Sequence, residues 1–590
     1  MKDTGDPFNL LGAEPPQNEV PLTGDPQTDY KFCKWEDFKV SLTKMQGLHF
    51  ETSGLDWKKN KILSVAVSDE IGKAKSVLWN DSIAAEILNN TVGYAIHDVK
   101  FFYKFLRKLY SEDRFKLMFN SFLHLLKSCC DTKVFSYLQN EEDSVAFDSI
   151  SQRFCNRTRP SLSFIAELEK YPIDTWYHHN CASADIVCQI GKSFWSMEKR
   201  LIKTAWESTK FQSFIGEIEY QGIGVDLFNA TQAGSRLSRD IESLKQELLM
   251  MVGNKDFNFN SPAQIGKYLS TRLGRVIKST AADRLNELQK TDPEVAPFIE
   301  KLKTYRGMIT LSNNLNGILK HIDNERIYPQ YNTTDSKTGR VSSHDPNIQG
   351  FAREGGKYNI RKLFVPRDGY KFVSFDFNQL EFRVLAGMIE DDELILKFAN
   401  GVDFHEDTGK LLGVDRKVGK VINFLTIFGG GVSGFQKAIS RGECSITFED
   451  AERFMKEFKD KKYPKIKEYY NETSEQLKAG YVEGYFGRRR HFKSFGTETF
   501  GEGINARIQG TAVDLVMRYC NLLYPHIMTN GIYPVLFHHD SVMFEVKIGN
   551  EFEFANFLKS KVKEVKFPCP LDITVSMGDN WYDMKEIEVE

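Results

Sequence analysis

Lys371-Phe372-Val373-Ser374-Phe375-Asp376-Phe377-Asn378-Gln379-Leu380-Glu381-Phe382-Arg383 is the stretch whose reading decides the fold. Up to Phe377 it alternates like a strand, with Phe372, Ser374 and Asp376 on one face and Val373, Phe375 and Phe377 on the other. From Leu380 the spacing turns helical: Leu380, Val384 and Leu385 recur at helix intervals, and Arg383 returns beside Gln379. Asp376 thus falls where a buried strand becomes a helix, among rings expected to exclude water. An unpaired carboxylate is costly in such a place. A metal ion would supply the counter-charge, and a cap on the following helix is the simpler alternative. This stretch alone leaves both open.

A second acid narrows the choice. Pro534-Val535-Leu536-Phe537-His538-His539-Asp540-Ser541-Val542-Met543-Phe544-Glu545-Val546 is two apolar runs around a polar tip, which predicts a hairpin with Asp540 at its turn. Two acids at adjacent strand ends of one sheet can hold two Mg²⁺ ions about 3.5–4 Å apart, the arrangement used for in-line phosphoryl displacement. Between them in sequence, Arg416, Lys420, Phe424 and Phe428 lie four apart, so a helix there carries two cations and then two rings in one stripe. Cations suit a triphosphate and rings suit a base. A solvated basic face would explain Arg416 and Lys420, but not the continuation into Phe424 and Phe428.

On these motifs the chain resembles family A DNA polymerases. The matching runs, in the family's order, are residues 338–349, 376–383, 416–429, Gly487-Arg488-Arg489-Arg490, Asn505-Ala506-Arg507-Ile508-Gln509-Gly510-Thr511-Ala512 and His539-Asp540. The resemblance covers residues 211–581 and, more weakly, the N-terminal third. It implies an α/β multidomain chain of right-hand polymerase type (fingers, palm, thumb) on an N-terminal RNase H-like domain of the 3′–5′ exonuclease kind. It implies a nucleotidyltransferase that extends a primer 3′-hydroxyl with dNTPs on template DNA, using two Mg²⁺ ions. No stretch matches the family's 5′-nuclease domain, which favours a phage- or plasmid-like replicase and would suit a replisome or processivity partner. Two alternatives are a single-subunit RNA polymerase, opposed by Glu381, and a silent DNA-binding scaffold, opposed by Asp376, Lys420 and Asp540.

By the resemblance, Asp376, Asp540 and the Phe377 carbonyl hold the metals, and Lys420 protonates departing pyrophosphate. Gln379, Glu381, His405, Arg416, Lys420, Phe424 and Phe428 form the nucleotide site, with Glu381 filling the space a 2′-hydroxyl needs. A salt bridge from Glu381 to Arg383 or Lys420 would be compatible with that role. Phe428 stands where the family usually has Tyr, Leu425 where many members have Gly, Ser541 where many have Glu, and Gly501 where Arg is frequent. The charge missing at Ser541 is either dispensable or made up by Glu545 or water. Arg340, Asn505, Gln509 and His539 match donors to the minor-groove edge, where correct pairs present acceptors at equivalent places. Arg488, Arg489 and Arg490 are expected on template phosphates.

The chain divides into a Pro-bearing disordered leader (1–30, with one apolar cluster at 6–12), an exonuclease-like domain (31–205), a helical thumb (206–330), palm (331–400 and 511–590) and fingers (401–510). The family's first exonuclease motif, Asp-x-Glu-Thr, stands here as His49-Phe50-Glu51-Thr52, so its first acid is a histidine. The second ends in Phe102 where the family has Asp. In the third, one register puts His179 and Ser183 at the Tyr and Asp positions, and a shifted one retains Asp185. These degenerate positions predict a domain that folds without proofreading.

Composition adds bounds. Lys and Arg number 78 and Asp and Glu 80, a formal charge of −2, so nucleic-acid binding has to come from local clusters. The nine cysteines show no metal-ligand spacing, which predicts free thiols and a reducing cytoplasm; the resemblance implies that of a bacterial or phage-infected cell. No apolar run is long enough to span a membrane, and the N-terminus does not read as a signal peptide.

Overall fold

The structure, a computed structural model, describes residues 28–589 except 42, 89, 91, 128, 159–172, 353–357, 429–446 and 458–462. Most of the expected leader, with its 6–12 cluster, lies outside the described residues. Its boundary moves, because Asp29–Phe32 is already an edge strand paired in parallel with Lys73–Leu78.

The N-terminal part is built on a six-stranded mixed sheet in the order Asp29–Phe32, Lys73–Leu78, Ile62–Glu70, Gln46–Thr52, Tyr94–Ile96, Cys130–Asp131. The strand Ile62–Glu70 buries both its faces, as its near-continuous apolar run requires. The helix Ile173–Ser193 crosses this sheet very closely. A β-carbon on Gly47 would come within 2.0 Å of the Ala184 carbonyl oxygen, so no larger residue fits there.

The C-terminal part is built on a five-stranded antiparallel sheet in the order Tyr533–His538, Ser541–Lys547, Tyr370–Phe377, Ile573–Gly578, Lys585–Glu586. Asp376 lies opposite Ser541 on one side and Thr574 on the other. Phe375 and Phe377 meet the Tyr519 ring edge-on at 4.9 and 5.5 Å, under the 33-residue helix Thr497–Thr529. Those rings therefore pack away from Asp376, which is exposed. The expectation that they shield it from water is corrected by the strand's own alternation.

The helices Leu227–Val252 and Ala296–His321 pack on each other with Pro262–Leu273 and Ala282–Thr291 around a separate core that includes Leu248, Leu269, Leu285 and Leu302. Two of the four starts carry a side-chain cap: Asp226 accepts from the Asn229 N–H and Ser261 from the Gln264 N–H.

Two expected domain boundaries fall inside continuous helices. Lys199–Gln221 runs through 205/206, and Thr497–Thr529 runs through 510/511. The first of these helices joins the two halves through buried charge. Glu219 takes Lys100 at 2.6 Å and Lys104 at 2.5 Å, and Glu217 takes Arg107 at 3.3 Å. Both glutamates are fully buried, so removing their partners would strand a charge at about 3–5 kcal/mol. The described cysteines are free thiols, and no described helix is long and apolar enough to cross a membrane.

Candidate active site

One cleft of about 1020 Å³ gathers Asp376, Phe377, Gln379, Glu381, Arg340, His405, Arg416, Lys420, Phe424, Gln509, His539 and Asp540. Its floor is the end of the five-stranded sheet. Asp376 ends the central strand, and Asp540 sits in the turn between Tyr533–His538 and Ser541–Lys547, where His539 takes a left-handed φ of 59°. The two carboxyl groups are close enough for a hydrogen bond between them. Burial pushes the Asp540 carboxyl above the usual aspartate range, outweighing its own backbone N–H and the nearby His539 and Arg340.

Asp376 is not a helix cap. The N-cap of Leu380–Ile389 is Gln379, itself left-handed at φ 51° and without a side-chain capping bond. Gln379 instead accepts the Phe404 N–H at 3.3 Å, tying the strand end to the next helix. Asn378 donates to Asp572 at 2.7 Å and accepts from Thr574 at 2.7 Å, and Arg383 donates to the Asn378 carbonyl at 2.8 Å. This network fixes the strand-to-helix pivot. It escaped the sequence reading because Asp572 and Thr574 lie almost 200 residues along the chain from Asn378.

Ser541 donates to the His538 carbonyl at 2.9 Å. Glu545 cannot make up for the missing charge. It lies opposite Phe372, four residues back along the strand from Asp376, and is bound by Arg326 at 2.9 Å and by Arg367.

The helix Arg416–Ile427 supplies the cationic and aromatic stripe as expected from its spacing. Arg416 donates through Nε and a terminal nitrogen to Asp403 Oδ2, at 3.0 and 2.8 Å. Lys420 has no acidic partner among the described residues, and its Nζ lies 5.8 Å from the Phe424 ring centre. Phe424 and Phe428 stack at 5.6 Å. His405 is buried against Phe382 and Phe424. Burial drives its pKa down to about 4, so the ring is neutral near pH 7. Nδ1 lies 3.2 Å from the Asn423 side-chain nitrogen, which can only donate; Nδ1 therefore accepts and Nε2 carries the proton. Asp403 and Asn423, which set these two groups, were not singled out in the sequence. An Asp two residues before His405 is the one signal that could have suggested the first.

Glu381 pairs with Arg340 at 2.8 Å, not with Arg383 or Lys420. Arg383 is engaged by the Asn378 and Pro570 carbonyls instead. Burial raises the Glu381 carboxyl above its usual range against the pull of Arg340. A shallow side pocket brings Arg340, Glu381, Phe424, Phe428, Gly501, Asn505 and Gln509 together. The Asn505 Oδ1 atom is buried with no hydrogen-bond partner among the described residues.

A family model, DNA polymerase family A, matches residues 229–583. The chain belongs to DNA polymerase family A. Among similar proteins are DNA polymerase I of Thermus thermophilus (30% identical over 422 residues, 66% of this chain and 49% of that one) and of Lactococcus lactis (31% over 404 residues, 63% and 45%). DNA polymerase I of Borreliella burgdorferi is 25% identical across 98% of this chain and 68% of its own. The chain spans about half the length of the Thermus and Lactococcus relatives. The polymerase domain of Pol1 from M. smegmatis, solved with DNA primer-template and dNTP, superposes with a TM-score of 0.76 at 21% identity, over 91% of this chain and 96% of that one. That likeness establishes a mixed α/β polymerase fold.

Within this family A chain, the arginine run departs from expectation. Arg488 is buried and donates twice to Asp514, at 3.0 and 2.7 Å. Arg490 pairs with Glu141 at 2.7 Å and with Glu142, and Arg489 with Glu198 and Glu483. The reading of these residues as phosphate contacts is corrected for Arg488 and Arg490, whose charges are spent inside the molecule. Arg489, also paired, is less enclosed.

The degenerate exonuclease positions fall into two groups. Glu51 is 3% exposed; its Oε1 lies 3.2 Å from His49 Nε2 and 3.5 Å from His179 Nε2. This favours the register with His179 and Ser183. Asp185 is elsewhere, held by Arg157 at 2.7 Å, by the Tyr30 hydroxyl and by the Gly72 N–H, which corrects its candidacy for the site. Phe102 stacks on Phe50 at 4.6 Å, and Phe50 alternates to the strand face opposite Glu51. Among the described residues no group of three His, Cys, Asp or Glu is placed to hold a metal ion.

Proposed function

We propose that the chain is a template-directed DNA polymerase that extends a primer 3′-hydroxyl with dNTPs, and that its N-terminal domain does not proofread. The observation that carries this reading is the meeting, in one cleft, of paired acids on the palm with Arg416, Lys420 and a neutral His405 on the fingers. Asp376, Asp540 and the Phe377 carbonyl are an all-oxygen donor set, which suits Mg²⁺. The half-buried Asp540 carboxyl beside a second acid is in want of a cation. Two Mg²⁺ ions bound there would acidify the primer hydroxyl and neutralise charge on the leaving pyrophosphate.

The protein's own groups do the rest by position and charge. The primer hydroxyl gives its proton to solvent, its oxygen attacks the α-phosphorus, the α–β bridging bond breaks, and pyrophosphate leaves with a proton from Lys420 Nζ, which solvent then restores. Arg416 binds the triphosphate while sharing its guanidinium with Asp403, and His405 donates its Nε2–H to phosphate oxygen. Phe424 packs on the incoming sugar and base. Phe428 gives a ring without a hydroxyl. Glu381 excludes a 2′-hydroxyl. Arg340, Asn505, Gln509 and His539 test the minor-groove edge as donors.

Primer–template DNA and dNTPs are the partners on this reading, with a cytoplasmic location. The exonuclease proposal rests on Glu51 being engaged by two histidines and Phe102 by Phe50. Primer extension with dNTPs compared with ribonucleotides tests the polymerase directly: selective elongation with dNTPs is expected. Extension with ribonucleotides alone would favour an RNA polymerase, and no extension with either would leave a DNA-binding scaffold.

A further inference from the structure

On the polymerase reading, we propose that the N-terminal domain is a positioning element for nucleotide selection: it holds the segment 333–341 that delivers Arg340 to Glu381. The segment is gripped from that domain at two points. The Tyr137 hydroxyl donates to the Ser336 carbonyl, and Glu142 accepts Lys337 at 2.9 Å. Lys337 and Arg490 hold the Glu142 carboxyl at about 2, so it stays ionised at working pH.

The same acidic turn grips a second element. Glu141 accepts Arg490 at 2.7 Å, the His491 N–H at 2.6 Å and His491 Nδ1 at 2.8 Å. These residues end the short hairpin Tyr481–Glu483/Arg489–His491, which also carries Arg488 in the turn before its second strand. A further clamp comes from the helix Lys199–Gln221, whose Arg200 pairs with Glu483 at 3.0 Å and whose Thr204 hydroxyl donates to the Phe486 carbonyl at 2.6 Å.

The two gripped elements meet at Gly339. It adopts a φ of +83°, and a β-carbon there would lie 3.0 Å from a terminal nitrogen of Arg488. Arg488 is itself fixed by Asp514 on the long helix. The next residue, Arg340, reaches the cleft and pairs with Glu381 at 2.8 Å. The path from Glu141, Glu142 and Tyr137 to the sugar-discriminating carboxylate is thus a run of direct contacts: acidic turn, hairpin and segment, Gly339 on Arg488, Arg340 on Glu381. A domain whose own acids are disarmed keeps a task in this way, through residues remote from its degenerate pocket.

The test uses the full chain and three variants, none in the catalytic or binding machinery: Glu141→Gln/Glu142→Gln, Glu141→Asp/Glu142→Asp, and Tyr137→Phe. For each, the incorporation efficiency of one dNTP is compared with that of its ribonucleotide, with KM and kcat measured separately and the thermal midpoint recorded. The Gln pair should lower the dNTP preference about tenfold, chiefly through KM, because a misplaced positioning group costs selectivity before it costs chemistry. The Asp pair, which keeps both charges, should recover most of it. If the Gln pair does not fold, Tyr137→Phe, which deletes one hydroxyl, carries the test with a smaller shift in the same direction. Selectivity and KM equal to wild type in the variants that fold, or losses that follow the thermal midpoint alone and are as large with Asp as with Gln, would overturn the proposal. Failure of wild type itself to extend a primer would overturn the polymerase reading instead.

Discussion

At the palm, Asp376 is exposed at a strand end, in a cleft that also takes in Arg416, Lys420 and His405. In the N-terminal sheet, Glu51 is buried near a strand end, with His49 and His179 already against it. Both are carboxylates near the end of an interior strand of a sheet, and their surroundings send them opposite ways. An acid kept open beside a second acid has a need that an arriving cation can meet. Glu51 already has the His49 ring within hydrogen-bond distance, and Phe102, at another of the degenerate positions, is stacked on Phe50 on the opposite face. A fold can keep a catalytic scaffold while its chemistry is decided by what touches one carboxylate.

The largest expected effect breaks the palm side of this comparison. Asp376→Ala and Asp540→Ala should each lower nucleotide addition by about a thousandfold or more while duplex affinity stays near wild type. Single-turnover extension and a DNA-binding titration measure the two quantities; near-normal extension by either variant would remove the acids from the chemistry. The N-terminal side is tested by returning an acid to it. Phe102→Asp should destabilise the protein by about 3–5 kcal/mol, because a carboxylate put into the Phe50 stack is buried without a partner. Denaturant unfolding reads this, and an unchanged midpoint would mean that the pocket still accommodates a charge.

Within the cleft, Glu381→Ala should open space beside the sugar and reduce discrimination against ribonucleotides by about 2–4 kcal/mol, roughly 30- to 1000-fold. Paired dNTP and ribonucleotide efficiencies check it. The smallest effect concerns His405, whose folded pKa of about 4 lies below the ordinary histidine value of 6.5. A depressed histidine contributes stability that is fully present above 6.5 and is lost as the pH falls through 4, since the unfolded chain takes up the proton first. The stability difference between wild type and His405→Gln should therefore shrink across that acid window, and the dNTP KM should show no histidine inflection between about pH 6 and 8. An inflection near 6.5 that disappears in His405→Gln would mean the ring titrates freely.

The palm acids and the stripe on Arg416–Ile427 were legible in sequence because each is a local pattern: alternation that breaks at an acid, and charges and rings four apart. Arg340, Asn505 and Gln509 were singled out by resemblance alone, and the structure brings them around one pocket. What was not legible depends on contacts between distant parts of the chain. Arg488, Arg489 and Arg490 look like a solvated basic run until Asp514, Glu141, Glu142 and Glu198 fold against them. The Arg340 partner of Glu381 was missed because nearer cations were weighed first. Two expected domain limits fall inside Lys199–Gln221 and Thr497–Thr529, helices that carry the chain onward without any turn signal. Asp185 read as a surviving acid because helical register is ambiguous over a few residues, and its Arg157 partner lies on another segment.

One measurement addresses both sites at once. The purified chain is incubated with Mg²⁺ or Mn²⁺ and a primer–template carrying a 3′ mismatch, with and without dNTPs, and primer length is followed over time. Elongation that needs dNTPs and no shortening in their absence is the expected result. Metal-dependent shortening from the 3′ end that vanishes in Glu51→Ala would contradict it, showing that the enclosed carboxylate still works.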